Sequence, residues 1–336
     1  KIHAIGGSPD GDLTNYPIRL LIYRDGTTPE SGNIIQAGSN VKSDYSDLRF
    51  TNVSGTELSY WIESVGSSYA VVWVKVPSIP RTGCQLYVYY GNSSATSQSN
   101  GSNVFTFFDD FVTVGPGWSQ SGGVSASNSV VTLSSSGRLI STAQYGTGNA
   151  IGLKGTVSSS VYNVAGFQSS EGRGAMFYGN YPTGGVLNAL NRNPYPTQSG
   201  ANLGTFSGTR IFEVNRAGTG KVVYTIDGTV RATLTENVPT ASVPLFIWAQ
   251  SGTMTVDWVY VRPSTGTEPV SSSTGAEQYN PVPPVASFTA SPSGGLAPLT
   301  VHFSDSSTGS PTGYQWDFGD GSDIVTTQNP VHTYNS

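Results

Sequence analysis

Nearly every apolar run in this chain alternates with a period of two, and no segment sustains the 3.6-residue period of an amphipathic helix. Ile18-Arg19-Leu20-Leu21-Ile22-Tyr23, Ala70-Val71-Val72-Trp73-Val74-Lys75-Val76, Lys221-Val222-Val223-Tyr224-Thr225-Ile226 and the stretches 85–90 and 255–261 are rich in Val, Ile, Tyr and Trp. Gly, Asn, Asp and Pro bound them, as they bound strands. Asp227-Gly228 lies between two apolar runs, a hairpin signal. Many short strands with frequent turns predict an all-β chain built from β-sandwiches.

At roughly 100–200 residues per domain, 336 residues suggest two or three domains. Lys and Arg number 16 against 21 Asp and Glu, for a net charge of −5. So few scattered cations build no basic stripe, which excludes a nucleic-acid partner. Charged residues are 11% of the chain, against about 25% in an average soluble domain. Ser, Thr, Asn, Gln and Gly must supply the polar surface, a composition that points to an extracellular, cell-surface protein.

Cys84 is the single cysteine, so no internal disulfide forms and no cysteine-based zinc site exists. It sits in an alternating run and reads as a small buried hydrophobe or a reactive thiol. His3, His302 and His332 are far apart, and none lies near a nucleophile elbow. No stretch is apolar enough to span a membrane as a helix. No signal peptide is visible, and Lys1-Ile2-His3-Ala4 suits a mature N-terminus. Asn52, Asn92 and Asn100 head glycosylation triplets beside turn residues, which are also expected by chance in a Ser/Thr-rich chain.

Composition divides the chain into residues 1–104, 105–264, a Ser/Thr/Pro linker over 265–284 and a last segment, 285–336. The last carries Val285-Ala286-Ser287-Phe288, Tyr314-Gln315-Trp316-Asp317-Phe318-Gly319-Asp320-Gly321 and Asn329-Pro330-Val331-His332-Thr333-Tyr334. It resembles a polycystic-kidney-disease (PKD) repeat, which implies an immunoglobulin-like sandwich. Family members continue beyond the last of these motifs, so the repeat is expected to be completed by further chain or by a strand from another molecule. Asp317 and Asp320 are either calcium ligands or acceptors for turn amides.

The first segment carries Leu13-Thr14-Asn15-Tyr16-Pro17-Ile18, Asp47-Leu48-Arg49-Phe50-Thr51, Glu57-Leu58-Ser59-Tyr60-Trp61-Ile62-Glu63 and Tyr87-Val88-Tyr89-Tyr90-Gly91-Asn92. It resembles an uncharacterised jelly-roll-like β-domain of archaeal and bacterial surface proteins. The middle segment opens with Phe107-Phe108-Asp109-Asp110-Phe111 and closes with Val256-Asp257-Trp258-Val259-Tyr260-Val261. It resembles concanavalin-like (laminin-G-like) jelly rolls, a fold shared by lectins, glycosidases and inert spacers. That resemblance implies a possible calcium site at Asp109 or Asp110 with Asp257. No cofactor is required.

A glycosidase needs two carboxyls facing one cleft. The Glu-x-Asp-x-x-Glu strand of jelly-roll glycosidases is absent, and adjacent Asp109 and Asp110 point to opposite faces of a strand. Tyr178, Asn180, Tyr181, Asn191, Arg192 and Tyr195 offer rings and amides for a glycan, for a neighbouring subunit, or for packing of the loops. The expectation is a non-enzymatic structural or adhesion protein, three sandwiches in series forming a stalk, layer or filament by self-association or with other surface proteins. The alternative is a carbohydrate-binding adhesin using the middle domain; a glycoside hydrolase is the third.

Overall fold

A computed structural model describes residues 2–25, 33–180, 185–194, 196–218, 220–274, 284–309 and 311–335. The chain divides into two compact units, Lys1–Ala276 and Glu277–Ser336. Strands account for nearly all regular structure, as the alternation requires.

The first unit holds two lobes. Lobe 1 begins with β1 (Ile2–Ile5), β2 (Leu13–Tyr23), β3 (Ile34–Gln36), β4 (Arg49–Asn52), β5 (Tyr60–Val65), β6 (Tyr69–Ile79) and β7 (Cys84–Tyr89). Lobe 2 follows with β8 (Phe107–Asp109), β9 (Trp118–Ser127), β10 (Val130–Tyr145), β11 (Asn149–Gly155), β12 (Asn163–Gln168), β13 (Gly174–Gly179) and β14 (Leu187–Arg192). It continues through β15 (Gln198–Gly204), β16 (Arg210–Arg216), β17 (Val222–Ile226), β18 (Thr229–Leu234), β19 (Val243–Ala249) and β20 (Thr253–Pro263). The chain then returns to lobe 1 as β21 (Ser271–Thr274).

Lobe 1 is a sandwich of the sheets β21-β1-β7-β4 and β3-β2-β6-β5. Between them lie Ile18, Leu20, Ile22, Tyr45, Leu48, Phe50, Val72 and Val74. Lobe 2 is one continuous strip, β15-β14-β13-β12-β19-β10-β20-β11-β16-β17-β18, wound into a jelly roll. Strand β10 joins the two layers: its first half pairs with β20 and its second with β19. Leu133, Leu139, Phe167, Phe177, Phe212, Tyr224 and Ile247 belong to the enclosed core. Arg216 is wholly buried there and donates to the carbonyls of Tyr145, Pro239 and Ala241 at 2.8–3.0 Å. Burial in apolar surroundings lowers its pKa to about 10.

The stretch read as a linker from residue 265 is folded structure through Thr274. Antiparallel β21 edges β1, with His3 opposite Thr274. Thr265 Oγ1 and the Thr267 amide donate to Asp10, and Ser8 Oγ donates to the Thr267 carbonyl. Lobe 2 is therefore an insertion within lobe 1. The remainder of that stretch, 275–283, lies outside the described residues.

The second unit contains β22 (Phe288–Ser291), β23 (Leu299–Asp305) and β24 (Val331–Tyr334), an antiparallel meander. Phe303 packs on Phe288, Trp316 and Phe318, and His332 stacks on Phe318 at 4.1 Å. Asp320 accepts from Ser322 and pairs with His332 Nε2 at 2.7 Å. Asp305 accepts from Ser307 and Gln328. These bonds lower both carboxyls to about 2.

Two outcomes are expected. A chain ended at Ser264 loses the edge strand of lobe 1 and both Asp10 bonds; urea unfolding followed by tryptophan fluorescence should show lobe 1 melting before lobe 2. In the full chain, carboxyls depressed on folding stabilise the second unit fully above about pH 4 and lose that contribution as pH falls toward 2. Amide exchange across β22–β24 should accelerate over that window.

Candidate functional site

Two bulges build the principal site. On β20, Met254 and Val256 face the lobe 2 core, opposite Leu133 and Val131 of β10. The register with β11 then slips: Gly155 pairs with Val256, but Lys154 pairs with Trp258. Asp257 is the extra residue, and the slip reverses the parity of everything after it. Val259 and Val261 now face the core, while Trp258, Tyr260 and Arg262 turn outward. Gly152 gives Tyr260 its seat, since a Cβ there would lie 2.2 Å from the ring.

The facing strand in lobe 1 repeats the device. Trp61 pairs with Trp73 and Ile62 with Val72, but Ser64 pairs with Val71, leaving Glu63 as the extra residue. Trp61 and Trp73 face lobe 2, and Trp73 Nε1 donates to Glu63 at 2.7 Å. The connection between lobes is a short helical turn, Gly101–Val104, capped by Asn100, whose side chain accepts from the Asn103 amide. It delivers Phe105 and then Phe108 into the same place.

The result is an aromatic seam. Trp61 meets Phe105, Phe108 and Trp258 edge-on at 5.0–5.5 Å. Phe105 stacks on Tyr260 at 4.3 Å and 8°. Trp258 lies near-parallel to Tyr260 at 5.6 Å. Such pairs contribute about 0.5–1.5 kcal/mol each beyond the area they bury.

Beside the seam, the Arg262 guanidinium lies over the Trp73 ring at 5.3 Å. Its Nη2 pairs with Glu213 at 3.0 Å and its Nη1 with Glu268 at 2.9 Å. Tyr260 donates to Glu213, and Tyr16 of lobe 1 donates to Glu268. Burial works against the charge on Arg262, but Glu213 and Glu268 outweigh it and raise its pKa well above normal. Glu63 is pushed up by desolvation and by the nearby charge of Glu213; Arg19 and the Trp73 bond oppose this. A cleft of about 380 Å³ opens here, with Arg19, Glu63, Tyr69 and Trp73 on one side and Glu213 and Tyr260 on the other.

The sequence-predicted ligand residues lie elsewhere and do not form one group. Tyr178 and Arg192 meet on the outer face of β13 and β14, the guanidinium 5.3 Å from the ring centroid. Phe246, Leu190 and Met176 surround them, with Trp248 and Tyr162 partly exposed at the margin. Asn191, one residue from Arg192, points into the core. It is wholly buried, accepts from Tyr224 at 2.8 Å and donates to the Glu236 carbonyl at 3.0 Å. Asn180 closes a turn at φ +52°, its side chain accepting from the Gly185 amide. Tyr181 and Tyr195 lie outside the described residues.

The expected calcium ligands are otherwise engaged. Asp109 accepts from Trp118 Nε1 and the Phe111 amide, Asp257 pairs with Lys154 at 2.8 Å, and Asp110 is exposed. Asp317 accepts from the Gly319 amide, and Asp320 is bonded as above. Among the described residues no three His, Cys, Asp or Glu side chains group as metal ligands do. Asn52 and Asn92 accept bonds from the turns they head, while Asn100 caps the interlobe helix. Cys84 is half-buried, and desolvation raises its pKa.

Residues 44–120 match a family described as a domain of unknown function, DUF2341. The match runs across the seam and contains Trp61, Trp73, Phe105 and Phe108. Residues 279–336 match the PKD domain family. No curated protein matches the chain. Among solved structures, a Crh5 transglycosylase in complex with NAG is 14% identical, covering 49% of this chain and 86% of its own, with a TM-score of 0.38. A β-1,3-1,4-glucanase (lichenase) derived from a mouse hindgut metagenome is 9% identical, covering 47% and 98%, TM-score 0.39. An immunostimulatory antigen and pseudo β-1,3-glucanase of Mycobacterium tuberculosis is 15% identical, covering 48% and 99%, TM-score 0.38.

Trp61→Ala removes the ring on which the seam converges. Urea unfolding of the full chain should show a loss of about 3–5 kcal/mol, the usual range for truncating a buried aromatic.

Proposed function

We propose that this chain is a non-catalytic structural and adhesion protein of an extracellular surface, using its first unit as a rigid block. The observation that carries this reading is the aromatic seam, which buries rings from two sandwiches against one another. The PKD match supports an extracellular setting, since that domain is typical of extracellular proteins. Low charge favours close packing of copies, with little repulsion to overcome. The reading without catalysis has its own support. Strands β12, β13, β14, β15 and β19 carry no Asp or Glu, and of the carboxyls that do line the interlobe cleft Glu213 is bound by Arg262 and Tyr260 and Glu63 by Trp73.

A second reading, glycan binding on the outer face of β13 and β14, is favoured by the Tyr178 ring under Arg192 with Trp248 alongside. Tyr178 and Arg192 are themselves buried, so the partly exposed rings of Trp248 and Tyr162 beside them supply the platform for a sugar ring.

Immunogold labelling of intact source cells, with electron microscopy of native surface material, tests the first reading. Label on ordered surface filaments or sheets is expected. Label confined to the cell interior, or release of reducing ends from β-glucans by purified protein, would overturn it. The second predicts signals on a glycan array, with or without calcium, that Tyr178→Ala abolishes.

A further inference from the structure

The cleft beside the seam is lined by more than the Arg262 network, and its polar groups fall into two sets. Arg262, Glu213 and Glu268 are spent on one another and on Tyr16, Asn215 and Tyr260. Asp227 at the rim is likewise spent on Arg210 and the Ile211 amide. These hold the lobes together and have little left for a ligand.

The second set is unspent. Arg19 sits opposite Trp73 in the β2–β6 ladder and lines the cleft. Among the described residues its guanidinium makes no hydrogen bond and no ion pair, though it acts electrostatically on Glu63. Glu63 uses Oε2 for Trp73, and Oε1 takes no hydrogen bond from a described residue. The Tyr69 hydroxyl donates to no described residue; its ring packs on Tyr23 at 4.8 Å and stays 38% exposed at the cleft wall.

The chemistry of this second set restricts the ligand. One guanidinium and one carboxyl sum to no net charge. An anion would meet Glu63 with Glu213, Asp227 and Glu268 close behind it, and a cation would meet Arg19 and Arg262. A neutral molecule bearing several hydroxyls satisfies both groups, because each hydroxyl donates to Glu63 or accepts from Arg19 as its position demands. The Tyr69 ring and Val71 supply an apolar wall for the C–H face of a pyranose. A volume of about 380 Å³ falls at the small end of the range for ligand pockets.

We propose that the interlobe cleft binds a neutral saccharide of one or two rings, with Arg19 and Glu63 as hydrogen-bonding anchors and Tyr69 as the stacking surface. The site is separate from the Tyr178–Arg192 face and goes beyond a purely structural role. Because the cleft has walls from both lobes, a bound sugar also stabilises their packing by mass action.

Saturation-transfer NMR on the full chain tests this, with methyl glycosides of glucose, galactose, mannose and N-acetylglucosamine, and with lactose, cellobiose and maltose. Galacturonic acid and glucosamine serve as charged probes. A saturable signal is expected from at least one neutral sugar. It should weaken at least tenfold in Arg19→Ala and Glu63→Gln and persist in Tyr178→Ala. Arg19→Lys and Tyr69→Phe, checked for native circular dichroism, guard against a folding defect; the first should weaken binding and the second largely retain it. The proposal is overturned if no neutral sugar binds saturably, if a charged probe binds more tightly than every neutral one, if binding survives both anchor variants in folded protein, or if Tyr178→Ala abolishes it.

Discussion

One inserted residue governs the architecture of the first unit. Without Asp257, continued alternation from Val256 would send Trp258, Tyr260 and Arg262 into the lobe 2 core and leave Val259 and Val261 outside. With it, the core keeps its valines and the outer face gains two rings and a guanidinium. A second bulge at Glu63 accompanies the tryptophans on the opposing sheet. Two sheet faces that would otherwise be polar and wet become the inner walls of a third core, and both the interlobe packing and the cleft follow from that.

The Arg262 network depends on the same exchange. An arginine only 4% exposed is costly to bury alone. Here two carboxylates accept its hydrogen bonds, and an indole face covers it at a separation typical of cation–π contacts. The partners come from three places: Glu213 from lobe 2, Tyr16 from lobe 1 and Glu268 from the returning segment. Satisfying one buried charge thus requires the strand order as built, with lobe 2 inserted and the chain returning to β1. Breaking any one partner leaves a buried group unpaired, which costs more than the contact itself contributes.

The period-two runs announced the strands, and the Asp-Gly turn of β17–β18 falls where expected. The Trp-Asp-Phe-Gly-Asp-Gly motif lies in the part of the chain that matches the PKD family. The seam was not legible, because a run such as Val-Asp-Trp-Val-Tyr-Val reads as one unbroken alternation. A bulge has no composition of its own; it shows only when partner strands are in register. The hint present was that 256–261 is apolar on both faces, which a strand with one wet face does not need. Asn191 was misplaced for a related reason. Its neighbour Arg192 faces out, and strand parity then sends Asn191 to Tyr224, a pairing some 30 residues away that no local pattern displays. The return of 265–274 to lobe 1 was hidden by its Ser/Thr/Gly composition, which suits an edge strand held by backbone bonds as well as it suits a linker.

That return also bears on how the unit carries load. His3 on β1 lies opposite Thr274 on β21, and the two strands are antiparallel. The chain therefore comes in and goes out at one end of one ladder. Tension between those points acts across the strands, along the hydrogen bonds, and opens them one pair at a time. Strands pulled from opposite ends would instead have to shear all their bonds together. The seam, the Arg262 network and the lobe 2 core lie off this line. Tension applied between those two points would thus reach the β1–β21 ladder before the seam or either core.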